Sequence, residues 1–523
     1  MSAAPEDLAE PELDRRLRRV DWRFLLPTPH PRRTLFLASG MLADALALVS
    51  GEVVSEAEPG SCDLAVAQDP DEATLARLWT ALRPGGACVT EWRRPRVRGA
   101  ARASAALAAA GFEQVACYWP WPASSAGRPR YWIPLDAPGA AAYLRARDAA
   151  AGNRLQRLAA ATARRARDAA LTLGYTPPVW GIALRPPAGA DAPAAWLRAG
   201  WSQWGLGAPP TKLSRLLLTG GPRSVSKVVT LVFDEPDPHP RLAIKAPRVP
   251  ASFLPLRREA AALEALGRRA PSARRSGVPR YLFLREDGGV PLVGESAVVG
   301  RPLELLLTRD SLRSWAMQGT DWLVDLAGSA PARSAAQCWH AVVQPVLGDI
   351  AAAFGPVLDP GSLERAAGVL RELGDLPPVC EQRDFAPWNV LVSADGELAV
   401  LDWESAAVEG LPALDLLYFL AHLTFNVDRA TRFEDRIASH RRALDPATPT
   451  GAVRRDCLAR YFERLGLAPA QLRPLQVLVW LIHARSDFQH FVADAGGPPS
   501  TEMLRRSLFL ALWREEMRVV TNG

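Results

Sequence analysis

The sequence predicts an α/β domain followed by a two-lobed α+β domain, and three observations carry that expectation. Before residue 200, short apolar runs alternate with helix-like stretches, which implies βαβ units and a parallel sheet. The longest proline-dense break, residues 177–193 (PPVWGIALRPPAGADAP), then marks an expected boundary near residue 200. Beyond it, strand-like runs give way at residue 303 to a mostly helical pattern. The expected parts are therefore residues 1–200, a β-rich lobe at 201–300, and a helical lobe at 301–523.

Composition narrows the class further. The 523 residues are 48% hydrophobic and 23% charged, which suits a globular chain. The longest apolar stretch, 35–49, is shorter than the roughly 18 residues of a membrane span and carries Asp44. The first residues (MSAAPEDLAEPELDRR) are acidic and lack the apolar run of a signal peptide. Six scattered cysteines without a CxxC argue against a disulfide framework or structural zinc, so the cytoplasm is the default expectation. The net charge of +6 is dispersed along the chain and predicts no nucleic-acid surface. Only three of the 62 basic residues are lysines: Lys212, Lys227 and Lys245. Arginine does not replace a compact point charge freely, so a lysine kept against this bias marks a position that needs one.

In order, the first part reads as strand 34–37, helix 41–49, strand 62–67 and helix 72–82. Arg83-Pro84-Gly85-Gly86 reads as a helix stop, with strand 87–91 after it. An Ala-rich helix ends at Gly111, and strand 114–118 follows. Residues 140–174 read as one long Ala/Arg-rich helix with a solvated arginine face. Past the boundary, 215–218, 227–233 and 242–245 read as antiparallel strands. A helix at 256–266 follows, with Pro255 suitably near its start. Strands are expected at 281–284 and 297–299, and a hairpin over 390–401 turns at Asp395-Gly396.

The chemistry concentrates in Gln382-Arg383-Asp384-Phe385-Ala386-Pro387-Trp388-Asn389 and in Leu401-Asp402-Trp403-Glu404 across that hairpin. Phosphoryl transfer needs a carboxylate to orient the attacking hydroxyl, and oxygen ligands that hold Mg²⁺ against the nucleotide phosphates. Asp384 suits the first role; Asn389 and Asp402 suit the second, since Mg²⁺ often takes one or two carboxylates plus water and phosphate. This segment resembles the HGDxxxxN motif and metal-binding Asp of the aminoglycoside phosphotransferase and choline kinase-like superfamily. Gly410-Leu411-Pro412-Ala413-Leu414-Asp415-Leu416 is similar to that family's G-x-P-x-x-D-L helix start. Gln382 stands at the family's histidine position and Arg383 at its glycine.

The resemblance spans roughly residues 205–523 and implies a two-lobed protein-kinase-like fold that uses ATP and Mg²⁺. It implies that Gly220, Gly221 and Ser224, in the loop Thr219 to Ser226, approach the nucleotide phosphates. It also implies that Lys245 binds those phosphates, fixed by an ion pair with Glu259, Glu264 being the rival partner. Residues 296–300 would be the hinge touching adenine. The acceptor expected is a hydroxyl of a small molecule or sugar. Asp428, Glu434 and Asp435 could meet a cationic acceptor, though solvated helix faces are the plainer reading. His422, His483 and His490 read as packed or surface histidines, and the aromatics around Trp480 as core.

In the first part, Leu35-Phe36-Leu37-Ala38-Ser39-Gly40, Cys62-Asp63-Leu64-Ala65-Val66-Ala67, Leu82-Arg83-Pro84-Gly85-Gly86 and Ala110-Gly111-Phe112 follow the order of class I S-adenosylmethionine (SAM) methyltransferases. That resemblance implies a Rossmann-like fold. The family's ExGxGxG loop survives only as Gly40, without the acid, so a degenerate scaffold that docks substrate or partner is expected rather than a SAM-binding domain. The whole chain is then expected to be an ATP-dependent phosphotransferase. Its alternatives are a catalytically inactive pseudokinase, or a bifunctional kinase-methyltransferase acting on glycan ends.

Overall fold

The computed structural model describes residues 10–38, 40–94, 97–122, 129–147, 154–189, 192–221, 223, 225–269, 277–287, 289–328, 331–495 and 497–522. The chain forms two compact units, Met1–Ala260 with Pro279–Val299, and Ala261–Val278 with Gly300–Gly523.

The first unit is mixed α/β around one large mixed sheet. Its strands are β1 (Arg33–Leu37), β2 (Glu52–Val54), β3 (Cys62–Gln68), β4 (Leu82–Trp92), β5 (Glu113–Trp121), β6 (Tyr131–Pro134), β7 (Val179–Leu184), β8 (Leu213–Leu218), β9 (Val228–Asp234), β10 (Leu242–Ala246), β11 (Tyr281–Asp287) and β12 (Val290–Ser296). Among the described residues they run in the order β11-β12-β10-β9-β8-β6-β5-β7-β4-β3-β1-β2. Strands β2, β1, β3 and β4 are mutually parallel. Strand β7 is antiparallel to both its neighbours, β4 and β5. Parallel strands covered on both faces read as continuous apolar runs, and β3 (CDLAVAQ) is buried at five of seven positions. From β6 to β11 every pairing is antiparallel.

The boundary expected near residue 200 does not interrupt this sheet. Tyr131 and Trp132 of β6 pair with Leu218 and Leu217 of β8. One hydrophobic cluster contains Leu17, Trp22, Val66, Val89 and Ile182 together with Leu217, Val228 and Ala246. A division at residue 200 is therefore one of sequence pattern, since the packing there is continuous.

Three local expectations differ from the structure. The helix Glu72–Ala81 does end here, but Arg83 to Gly86 already belong to β4 and are not a loop before it: Leu82 pairs with Cys62, and Gly85 and Gly86 exchange backbone bonds with Arg185. Among the described residues the stretch 140–174 is helical over Pro138–Arg147 and Arg154–Leu173, residues 148–153 lying outside them, and Arg167 is buried against Asp168 rather than solvated. Residues 297–299 are not a strand. The ladder of β12 with β10 ends where Ser296 meets Leu242, with one further bond from the Ala297 N–H to the Arg241 carbonyl, and the hairpin to β11 supplies the strand instead.

The second unit is mainly helical. Its strands are β13 (Arg301–Pro302), β14 (Val379–Glu381), β15 (Val390–Val392), β16 (Leu398–Val400) and β17 (Ala407–Gly410). The hairpin β15–β16 pairs Val390 with Val400, and Gly396 adopts φ 83° at its turn, as Asp-Gly predicts. Helix Leu414–Asp428 is buried from Leu414 to Phe425, and Trp480 on helix Leu472–Ala495 is fully buried core. All six cysteines are buried free thiols. No helix among the described residues is long and apolar enough to cross a membrane.

Candidate functional site

Each unit carries a constellation of charged residues that the sequence singles out. In the first, Lys245 sits on β10, where all five residues are buried. Its ammonium lies 2.5 Å from Glu259 Oε1 and 3.0 Å from Glu295 Oε1. Glu259 comes from helix Phe253–Arg269, whose inner face it shares with Leu256, Ala260 and Leu263. Glu295 was not expected, nor was a fourth member: Lys227, immediately before β9, lies 3.0 Å from Glu259 Oε2. Glu264, the rival partner, is occupied with Arg268 at 3.4 Å. Two of the three lysines therefore belong to one buried ion-pair cluster, and the argument applied to Lys245 extends to Lys227.

The two carboxylates respond oppositely. Burial raises the Glu259 carboxyl, but Lys245 and Lys227 outweigh it and hold the group at about 2. Burial pushes Glu295 up to about 7, with Lys245 opposing and Glu259 adding to the rise. Its Oε2 has no hydrogen-bond partner. When Glu295 is protonated, two ammonium groups face one carboxylate, and the cluster carries a net positive charge suited to an anion.

Gly220 and Gly221 follow β8, and Ser224 lies outside the described residues. Gly221 adopts φ 94°, and a Cβ there would stand 2.4 Å from the Ser226 side chain, so the position requires glycine. Ser226 closes the turn by donating its N–H to the Arg223 carbonyl at 3.0 Å.

In the second unit, β14 delivers Gln382-Arg383-Asp384. Gln382 is fully buried and ties two segments together. Its Oε1 accepts from the Asp384 N–H at 2.8 Å, and its Nε2 donates to the carbonyls of Leu401 at 3.0 Å and Asp402 at 2.5 Å. Arg383 and Asp402 adopt φ 70° and 63°, in the left-handed region that suits glycine. Asp415 supports the first of these by accepting from the N–H groups of Gln382 (2.6 Å) and Arg383 (2.7 Å). Burial and the Glu381 carboxylate raise Asp415 to about 7. Glu381 itself accepts from Arg383 Nε (2.8 Å) and the Leu411 N–H (2.5 Å). A Cβ on Gly410 would collide with it at 1.9 Å.

These supports present Asp384, whose Oδ2 accepts from Asn389 Nδ2 at 2.7 Å and whose Oδ1 accepts from the Tyr418 hydroxyl at 3.1 Å. Because the Asn389 amide donates to Asp384, its carbonyl oxygen is the atom left for a cation. Burial and the Asp402 carboxylate raise Asp384 to about 6, with Glu404 adding to the rise. Asp384, Asp402 and Glu404 thus repel one another, a strain that a divalent cation would relieve. Among the described residues no group of three or more His, Cys, Asp or Glu is arranged to hold a metal, so the donors the sequence predicts are one carboxylate, Asp402, and the Asn389 amide oxygen. That set fits Mg²⁺, which completes its shell with phosphate and water.

Tyr418 was not singled out from the sequence. It stacks on His483 with ring centroids 4.6 Å apart, and His422 tilts against it at 4.4 Å. Burial lowers both imidazoles to about 3, which keeps them neutral. Asp428 is taken up by Arg442 at 2.6 Å and Ser439 at 2.7 Å, so it offers little to a cationic acceptor.

No family model matches the chain, and no curated protein matches it. Solved structures similar to it include the GDP complex of an aminoglycoside 2'-phosphotransferase IIIa mutant (14% identity, 61% of this chain, 95% of that one, TM-score 0.35). Another is described as a fructosamine-3-kinase from Haemophilus somnus 129PT (12%, 60%, 96%, 0.35). A third is aminoglycoside phosphotransferase APH(3'')-Id from Streptomyces rimosus with ADP and streptomycin (17%, 47%, 90%, 0.30). At these TM-scores the functional reading rests on the chain's own residues.

Proposed function

We propose that the chain is an ATP-dependent phosphotransferase that phosphorylates a hydroxyl of a small molecule or sugar. The observation that carries this reading is the loop 382–389 with its counterpart Leu401-Asp402. Left-handed backbone at two non-glycine residues costs about 1–2 kcal/mol each and persists where the surroundings enforce it. Here Gln382 and Asp415 supply that enforcement, with the Asp384 carboxylate held on the Asn389 amide and the Asp402 carboxylate near enough to raise Asp384. In this reading Asp384 orients the acceptor hydroxyl and takes its proton, while Asn389 and Asp402 hold Mg²⁺. The ion, when bound, neutralises the charge developing on the transferred phosphoryl group. Lys245, fixed by Glu259, binds nucleotide phosphates, and Gly220 and Gly221 offer them backbone amides; Ser224 belongs to the same loop by sequence.

The substituted motif positions favour this over an inactive pseudokinase. Gln382 makes the backbone bonds that a supporting side chain must make, and Arg383 adopts the conformation expected at a glycine position. For the N-terminal part we propose a degenerate methyltransferase-like scaffold. The strand order, with antiparallel β7 between β4 and β5, supports that scaffold, and the single Gly40 argues against SAM use.

Thermal unfolding with Mg²⁺ and ATP or GTP tests the reading, comparing the chain with Asp402→Ala. A ligand that binds only the folded state stabilises it, by about 2.7 kcal/mol at a hundredfold excess over Kd. The expected result is a Mg²⁺-dependent rise in Tm that Asp402→Ala abolishes. No rise with either nucleotide in the folded protein would overturn it.

A further inference from the structure

The backbone of Gly220 and Gly221 is held from an unexpected direction. Helix Glu10–Arg19 places Arg18 beside Asp14, with Nε 2.8 and 2.9 Å from its carboxylate oxygens and both side chains almost fully buried. The rest of that guanidinium faces the loop after β8. Nη1 donates to the Thr219 carbonyl at 2.6 Å, and Nη2 donates to the Gly221 carbonyl. The turn that follows, Asp21–Leu25, repeats the device. Asp21 grips the fully buried Arg248 through bonds of 2.9 to 3.1 Å, and Arg248 donates to the carbonyls of Thr219 (2.8 Å) and Ser226 (2.7 Å). Thr219 is also anchored through its N–H to the Arg130 carbonyl at 2.9 Å.

Two guanidinium groups therefore converge on one carbonyl, and between them they take three carbonyls from the ends of a single turn. A glycine pair is otherwise the least ordered backbone a chain can offer, and ordering it on binding a phosphate would subtract from affinity. Arginines that engage the carbonyls fix which way the peptide planes point. Fixed planes are what a backbone anion nest requires.

We propose that residues 10–25 are a positioning element for phosphate binding, in which Arg18 and Arg248, set by Asp14 and Asp21, hold the backbone at Thr219 to Gly221. The N-terminal part of the chain thereby tunes the nucleotide site. This rests on the phosphotransferase reading above.

The test uses the full chain and measures affinity for Mg-ATP and for adenosine, which shares the base and sugar but has no phosphate. Arg18→Met should weaken Mg-ATP about tenfold and leave adenosine within twofold. Arg18→Lys, which keeps charge but loses the fork, should fall between. Asp14→Asn, which loosens Arg18 without removing it, should weaken Mg-ATP about threefold and covers the case in which Arg18→Met does not fold. Amide exchange over residues 216–221 should quicken in each variant. Equal affinity for Mg-ATP in the chain and its variants overturns the proposal, and so does a parallel loss for ATP and adenosine, which would mark a merely structural role. Lys245→Met separates the two claims. If it leaves Mg-ATP affinity intact, the nucleotide-site reading fails; if it weakens Mg-ATP and the Arg18 variants do not, only the present proposal fails.

Discussion

The two charged constellations are built by opposite means. Around Lys245 the backbone is regular strand and helix, and side chains fix one another through ion pairs. Around Asp384 the backbone is irregular, left-handed at Arg383 and Asp402, and buried side chains fix the backbone. A sheet already sets where a residue points, so a cation on it needs only a counter-ion. A loop sets nothing, so each carboxylate it presents needs a prop such as Gln382 or Asp415.

That contrast can be broken at either end. The largest effect is expected at the loop: Asp384→Asn should lower kcat by about 10²–10⁴, the usual range for a lost general base, with nucleotide affinity kept. Steady-state kinetics on any accepted hydroxyl compound, paired with nucleotide binding, checks it. Next is the ion-pair cluster. Glu259→Gln leaves two buried ammonium groups without their main counter-ion and should cost about 3–5 kcal/mol in urea unfolding. Lys227→Met, which leaves Lys245 paired, should cost clearly less.

A pH series sharpens the comparison within the second unit. His483 is held neutral at about 3, below its unfolded value, so the unfolded chain binds more protons in between. Its contribution to stability is present above about pH 6.5 and is lost as pH falls toward 3. His483→Phe should therefore lose about 2–3 kcal/mol less stability than the parent chain between pH 6.5 and 4, measured by denaturant titration at each pH. The smallest effect is at Arg383. Glycine adopts φ 70° freely and alanine does not, so Arg383→Gly should be more stable than Arg383→Ala by about 1 kcal/mol although both lose the pair with Glu381.

The same contrast explains what was legible in the sequence. Lys245 and Glu259 could be read from residue type and a strand-helix order, and Asp384, Asn389 and Asp402 from spacing across a hairpin. The supports could not. The Tyr418 hydroxyl reaches Asp384 from a helix 34 positions along the chain, and Glu295 joins Lys245 only through the register of β10 with β12. Register also decided the overcalled strand at 297–299, which is apolar enough but whose pairing goes no further than the Ala297 N–H on the Arg241 carbonyl. That the sheet runs across the expected break at residue 200 was hidden for a related reason: proline density reports local stiffness, whereas the pairing of β6 with β8 joins residues more than eighty positions apart in the chain.

That pairing has a consequence for how the chain is made. Strand β7 lies between β4 and β5, so the sheet cannot close until residue 184 has left the ribosome. The outer side of β6 then stays bare until β8 is synthesised, roughly 2–7 s later at typical elongation rates. A bare edge is a template for mispairing with other chains. Cutting the gene near residue 200 would make the bareness permanent on both products. Expressed separately, the two pieces should aggregate, and expressed together they should find each other along that edge.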